Sequence, residues 1–201
     1  YIAMDNNVPG YKLMFNPDCI PEREYERSYR EIIASGKMDF FKHWGSLDAD
    51  LLMNKMYYFA KVLKVDFILL DHVSMVIAGN DSQNERKDID KLFERETQVV
   101  TETGVGIVNI IHLKRVPGKN YNKGDEVELV DLRGSSGAEA MSFNVWALER
   151  NQQADEQSKR DVVKIRVLKN RLTGFTGLAG AAIYDHESGR LNPLETSYEG
   201  E

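Results

Sequence analysis

The sequence predicts an α/β domain with a mostly parallel sheet flanked by helices, and three observations carry that expectation. Phe67-Ile68-Leu69-Leu70 is an unbroken apolar run that ends abruptly at Asp71-His72. Val105-Gly106-Ile107-Val108-Asn109-Ile110-Ile111, largely apolar, runs straight into His112. Between them lies a helical repeat long enough to be the crossover of a strand–helix–strand unit. Runs without polar alternation read as strands buried on both faces, the habit of parallel sheets. Such strands deliver their first polar residue to the carboxyl edge, where open α/β sheets bind ligands. Asp71 and His112 are therefore candidate site residues, and an Asp in that place can hold Mg²⁺ beside a phosphate.

In chain order, residues 1–20 read as irregular, with Pro9, Gly10 and Pro17 as punctuation. Pro21 suits the first position of a helix over about 22–34, acidic at its start as the helix dipole prefers. Phe40 to Trp44 reads as a short strand. Asp48 is placed to cap a helix to about Leu63, with Leu52, Met56, Phe59 and Leu63 repeating on one face. After the strand ending at Asp71, residues 72–84 read as a loop rich in Gly, Asn, Asp and Ser. Ser82-Gln83-Asn84-Glu85 is a capping-box pattern that opens a helix to about Thr103. Ile89, Leu92, Phe93, Glu96 and Val100 follow its repeat, with Glu96 interrupting the apolar stripe. Beyond His112 comes a polar loop, 113–126, carrying Lys114, Arg115, Lys119 and Lys123 with no acid before Asp125. Strands are expected at Val145–Leu148 and Val162–Leu168, either side of a polar bridge 151–160. A last strand is expected at about 179–184, after the Gly-rich segment 174–180. No internal repeat or low-complexity tract interrupts the pattern, and the chain reads as one domain over 1–201.

Composition bounds the function. The 201 residues are enough for one α/β domain with a sizeable core, and 42% hydrophobic with 29% charged residues is ordinary for a soluble protein. No apolar stretch reaches the roughly 18 residues of a membrane span, and no signal peptide opens the chain. A single cysteine, Cys19, excludes an internal disulfide and a cysteine-based zinc site, and fits a cytoplasmic setting. The four histidines, His43, His72, His112 and His186, show no metal-ligand spacing. A net charge of −6 argues against coating nucleic acid with the whole surface, but leaves room for a local basic loop. The first residue is Tyr1, so the expectation is a start inside a longer reading frame or after processing.

Four stretches, in order, resemble one family. They are Ile68-Leu69-Leu70-Asp71-His72; Ile110-Ile111-His112-Leu113-Lys114; Asp131-Leu132-Arg133-Gly134-Ser135; and Leu148-Glu149-Arg150-Asn151-Gln152 leading to Lys169-Asn170-Arg171-Leu172-Thr173-Gly174. Together they resemble the RecA-like motor domain of DnaB-like hexameric replicative helicases, closest to the helicase half of T7-type phage primase–helicases. The resemblance covers about residues 22–193. It implies a RecA-like P-loop NTPase core, and ATP or another NTP with Mg²⁺ as cofactors. The implied partners are single-stranded DNA, further copies of the chain in a hexameric ring, and a replisome's primase and DNA polymerase, with no membrane. By position, Asp71 would be the Walker B acid and His112 the γ-phosphate sensor. Lys169 and Arg171 would reach the neighbouring subunit's nucleotide, Arg171 as an arginine finger. Arg150 and Tyr184 would lie near the adenine base. Lys114, Arg133, Gly134 and Ser135 would fall in loops lining the central channel. The channel loops are placed at 113–126 and 131–142, and charge adds Lys119 and Lys123 to the candidate DNA contacts.

The chain departs from the family pattern in one large respect. No Gly-x-x-x-x-Gly-Lys-Ser/Thr occurs in it, and the glutamate that follows that loop is absent too. The core is thus expected to be incomplete at its amino terminus. A degenerate, non-hydrolysing module for DNA binding or assembly is the alternative, and a RecA-like recombinase is a second. Glu139, following Ser135-Ser136-Gly137-Ala138, would also repel phosphate from the second loop.

Overall fold

The computed structural model describes residues 1–43, 48–77 and 85–194. Two sheets and the helices around them form the fold. Strand β1 (Phe67–Leu70) pairs in parallel with β2 (Gly106–Asn109), from Phe67 opposite Gly106 to Leu70 opposite Asn109. The connection is helix α6 (Glu85–Thr103), so the expected crossover is present. Helix α4 (Ala49–Tyr58) precedes β1 and is capped by Asp48 as expected: the carboxylate accepts from the Asp50 and Leu51 amides at 2.9 Å each. The helical path continues to Leu63 through wider π turns and ends at Lys64, whose φ is 55°. Leu52, Met53 and Met56 of α4 meet Ile89, Leu92, Phe93 and Val99 of α6, with Val73, Val76, Val105 and Leu132 completing the core. Ile68, Leu70 and Ile107 pack against this core from one face of the sheet.

The other face is bare, which corrects the expectation of strands buried on both sides. Phe67 is 73% and Leu69 65% exposed, and Val108 and Ile110 are exposed beside them. Successive side chains of a strand alternate between faces; here α4 and α6 cover one of them, and no described residue group buries the other.

The remaining strands make a second sheet. β3 (Asn144–Arg150), β4 (Val162–Asn170), β5 (Gly177–Tyr184) and β6 (Leu191–Leu194) are antiparallel, in that order. The fold class is α/β, but parallel pairing is confined to β1–β2 among the described residues. The reason is the length of the connections: β4 and β5 are joined by a tight turn at Thr173-Gly174, which permits only antiparallel neighbours. Asn170 Oδ1 accepts from the Leu172 and Thr173 amides at 3.0 and 3.1 Å, and Gly174 takes φ 72°. Strand β6 lies outside the strands expected from sequence, because Pro193 lowers the signal; as the end strand of the sheet it tolerates proline.

Other differences are local. Residues 1–20 hold helices α1 (Ile2–Asp5) and α2 (Gly10–Phe15), where Pro9 precedes a helix start instead of breaking one. Pro21 sits just before α3 (Glu22–Ile32), one place earlier than expected. Residues 40–43 are not a strand, and Trp44 lies outside the described residues. Within the loop 72–84, Ser74–Ile77 form a helical turn, α5, and Ser82 to Asn84 of the capping box lie outside the described residues. Helices α7 (Ser135–Met141) and α8 (Gln157–Arg160) complete the set.

Candidate nucleotide and nucleic-acid site

Strand alternation places Asp71 on the same side as Phe67 and Leu69, at the open face. Pairing continues past the strand ends, with the Ile110 amide donating to Leu70 O at 3.0 Å and the Val73 amide to Ile110 O at 3.1 Å. This carries His112 to the same edge, where its ring meets His72 edge-on at 4.3 Å. His72 Nδ1 is buried and has no hydrogen-bond partner among the described residues. Asp71 and His112 are both exposed. The next residues are zipped to the third family-like stretch: Arg133 N donates to His112 O at 3.1 Å and Lys114 N to Asp131 O at 2.8 Å, around an antiparallel bridge between Leu113 and Leu132. One rim therefore holds Asp71, His112, Lys114 and Arg133, which are far apart in the chain.

Gly134 turns the chain from this rim into α7 with φ 71°, and the helix lies hard against α6. A Cβ at Gly134 would sit 2.3 Å from Ile89 Cδ1, and one at Gly137 2.3 Å from Asp90 Oδ1. Ser135 opens the helix; its side chain lies outside the described residues. Lys169 and Arg171 are at the opposite end of α7, about 10 Å away by helical rise. As the alternation across Asn170 predicts, both leave one side: the Lys169 ammonium donates to Glu139 O and the Arg171 guanidinium to Ala140 O. Arg171 also lies over the Phe143 ring, 5.5 Å from its centre. They cap the negative end of the helix and do not meet Asp71 or His112 within one chain.

Arg150 and Tyr184 are brought together by a residue that sequence reasoning missed, Asp161. This buried carboxylate accepts from His186 Nε2 at 2.8 Å and Gln157 Nε2 at 2.7 Å, with the Arg150 guanidinium at 3.5 Å. Tyr184 N donates to Asp161 O at 2.9 Å, and its ring meets His186 edge-on at 4.9 Å. Burial would raise the Asp161 pKa, but the His186 and Gln157 hydrogen bonds outweigh it and hold the group below the usual carboxylate range. Only Gln157, one helical turn away, is local to Asp161; His186 and Arg150 come from distant segments, so the sequence does not mark the cluster.

The basic loop is ordered by acids. Glu149, buried on β3, accepts from Val127 N at 2.9 Å and Arg166 Nε at 2.7 Å, and Arg166 also reaches Glu126 at 2.7 Å. Lys123 and Asn151 form a further bridge. Lys119, expected among the DNA contacts, points its ammonium to Asp131 Oδ2 at 2.8 Å. Lys114 and Lys123 are exposed, and neither side chain has a partner among the described residues.

No protein-family model matches the chain. Among solved structures, an ATPase domain superposes with a TM-score of 0.76 at 18% identity, over 96% of this chain and 68% of that one. A DnaB-like replicative helicase, solved with regard to its interactions with primase, gives 0.75 at 17%, over 96% and 46%. A KaiC-like protein of Pyrococcus horikoshii gives 0.54 at 14%, over 92% and 80%. These likenesses show the fold. In sequence, a DNA helicase/primase of Enterobacteria phage T3 is 37% identical over 177 residues, 88% of this chain and 30% of that protein. The chain is similar in sequence to this phage helicase/primase and in fold to the ATPase domains of replicative helicases. It spans about 30% of the length of the curated relative it matches.

One buried acid stands apart. Glu96 of α6 is 3% exposed, accepts from Asn109 Nδ2 at 2.6 Å, and leaves its Oε1 and the Asn109 Oδ1 without partners among the described residues. Burial pushes its pKa up to about 7, against a smaller lowering by the Asn109 hydrogen bond. Glu96 thus interrupts the apolar stripe as expected and does so immediately behind the strand that carries His112. Among the described residues no group of three or more His, Cys, Asp or Glu could hold a metal ion, and no helix is long and apolar enough to cross a membrane.

Proposed function

We propose that the chain is the motor part of an ATP-dependent DNA helicase that works as a ring, moving along one strand to open duplex DNA during replication. The observation that carries this reading is the zip between 112–114 and 131–133. It sets the candidate phosphate sensor, His112, on the same short ladder as the candidate DNA contacts Lys114 and Arg133, beside Asp71. A change at a terminal phosphate felt by His112 is then one hydrogen bond away from a residue facing nucleic acid.

Asp71 is a single exposed carboxylate at a strand end, which fits the way Mg²⁺ is held by one or two carboxylates together with substrate phosphates. When bound, that ion neutralises charge on the transferring phosphoryl group. His112 orients toward the same phosphate. Lys169 and Arg171 act on the nucleotide of the neighbouring subunit, exchanging the α7 carbonyls for phosphate oxygens, the stronger partners of a cation. Arg150 and Tyr184, organised by Asp161, take the base. The loops 113–126 and 131–142 follow the phosphate backbone of single-stranded DNA with little base readout. The names of the relatives, a helicase/primase and a helicase studied with primase, support a primase as partner.

The test is Arg171→Ala in the full-length protein. DNA-stimulated ATP hydrolysis should fall by about 10³-fold or more, the scale of an arginine finger, while nucleotide binding stays within a few-fold. Arg171→Lys should not restore it, since an ammonium lacks the planar fork. Subunits carrying Arg171→Ala, mixed with subunits inactivated at the P-loop, should recover turnover. Hybrid rings that form and recover none would show that Arg171 does not act in trans.

A further inference from the structure

Four cations lie in the loop after His112, Lys114, Lys119 and Lys123 among them as candidates for gripping DNA, yet their surroundings differ. An ammonium has three protons to donate. Those of Lys119 meet three acceptors: Asp131 Oδ2 at 2.8 Å, Glu126 O at 3.3 Å and Glu128 Oε1 at 3.4 Å. Asp131 is 1% exposed and is itself the centre of the junction. Its Oδ2 also accepts from Glu128 N at 2.8 Å, closing the turn 128–131, and its main-chain oxygen takes the Lys114 amide at 2.8 Å. The loop from Leu113 to Asn122 arches over a cleft of about 540 Å³, and Lys119 spans from the loop to Asp131. Lys114, Arg115 and Lys123 are exposed on the same loop, without side-chain partners among the described residues.

We infer that Lys119 is a positioning residue and not a DNA contact: paired with buried Asp131, it ties the loop 113–126 to the 131–133 segment, so that Lys114 and Lys123 present their charges to a phosphate backbone. The inference rests on the DNA-binding reading above and divides its labour. A cation whose charge is matched by an adjacent buried carboxylate releases no counterion from DNA, so Lys119 adds nothing to the salt dependence of binding. The hydrogen bond it donates to Asp131 holds its pKa above the ordinary lysine value, which keeps the tie charged through neutral pH. Asp131 in turn is held below the usual carboxylate range; its burial opposes this, and the Lys119 and Glu128 hydrogen bonds prevail.

The test uses the full-length protein and an oligothymidylate of ring-spanning length. Lys114→Ala should reduce the slope of log affinity against log salt by about 0.7, the loss of one contact on single-stranded DNA. Lys119→Ala should weaken binding several-fold with the slope unchanged. Asp131→Asn discriminates most sharply. Removing an acid near DNA strengthens binding if Lys119 is a phosphate contact set free, whereas loss of the tie weakens it, again without altering the slope. Tighter binding by Asp131→Asn, or a slope lowered by Lys119→Ala as much as by Lys114→Ala, would overturn the inference. A measurement on the unaltered protein guards against variants that misfold. Amine acylation followed by mass spectrometry should label Lys114 and Lys123 quickly and lose both to DNA protection, with Lys119 slow in either state. Fast labelling of Lys119 that DNA suppresses would overturn the tie. A slow Lys119 with Lys114 and Lys123 unprotected would instead overturn the DNA-binding reading, and Lys119's positioning role in DNA binding with it.

Discussion

The two sheets of this molecule treat their polar groups differently. In the antiparallel sheet the buried acids are partnered within the chain: Glu149 by Arg166 and Val127, Asp161 by His186, Gln157 and Arg150. Around the parallel pair, His72 Nδ1, Asp90 Oδ1, Glu96 Oε1 and Asn109 Oδ1 are buried without partners among the described residues, and one apolar face is uncovered. Buried polar atoms are nearly always bonded in folded proteins, so unpartnered ones mark places where something other than stability is being served. The antiparallel sheet is a self-contained support. The parallel pair carries the rim of Asp71 and His112, and most of the unmet hydrogen-bonding capacity among the described residues collects there, Tyr121 Oη in the loop 113–126 being the other such atom.

The comparison can be broken hardest at Glu149. Glu149→Ala leaves the Arg166 guanidinium, 17% exposed, to the exposed Glu126 without its buried partner, and removes the acceptor of Val127 N. Breaking such a pair from one side costs about 3–5 kcal/mol. A chemical denaturation curve should show that loss together with loosening of the loop 113–128. A change below about 1 kcal/mol, the scale of an exposed pair, would mean that the sheet does not depend on this internal pairing.

A smaller effect, of opposite character, belongs to Glu96. Its folded pKa of about 7 lies above the ordinary value of 4.5, so the folded state holds a proton that the unfolded chain releases. Stability contributed by the protonated group is complete below about pH 4.5 and is lost as pH rises to 7, by about 3 kcal/mol at most. Glu96→Gln should flatten that part of the pH profile and raise stability at about pH 8, above the folded pKa. An unchanged profile in thermal melts from about pH 5 to 8, the window between the two pKa values and beyond, would show that Glu96 is ionised and solvated, against its burial.

Gly137 tests the contact between the site and its support. A methyl there meets Asp90 Oδ1 at 2.3 Å and Asp90 Cα at 3.0 Å. Gly137→Ala must push α7 off α6, at about 1–3 kcal/mol, and should misplace Arg133 at one end and Arg171 at the other. Reduced stability with normal DNA-stimulated hydrolysis in the full-length protein would separate α7 from the site. The least effect is expected at the open face: Leu69→Ser should change the stability of the 201-residue chain by about 0.5 kcal/mol or less, as for exposed positions generally. A loss of several kcal/mol in this chain would mean that the face is covered.

Much of the parallel unit was legible in the sequence, since its signals are short-range. The apolar run to Asp71, the cap at Asp48 and the crossover helix to Thr103 each depend on residues within a few positions of one another. The antiparallel order of β3–β6 and the edge strand β6 were not legible, because strand direction follows from what pairs across a sheet. Partner choice was hidden for the same reason. Lys119 looked like one more free cation in an acid-poor loop, but the acid that claims it, Asp131, is 12 residues on, and Arg166 lies 17 from Glu149. The sequence alone determined which segments become strands and helices and which polar residues end them, for these follow from local periodicity and backbone chemistry. Only the tertiary structure decided which charges are spent inside the molecule and which remain to meet a ligand, since that depends on distances in space that no spacing along the chain encodes.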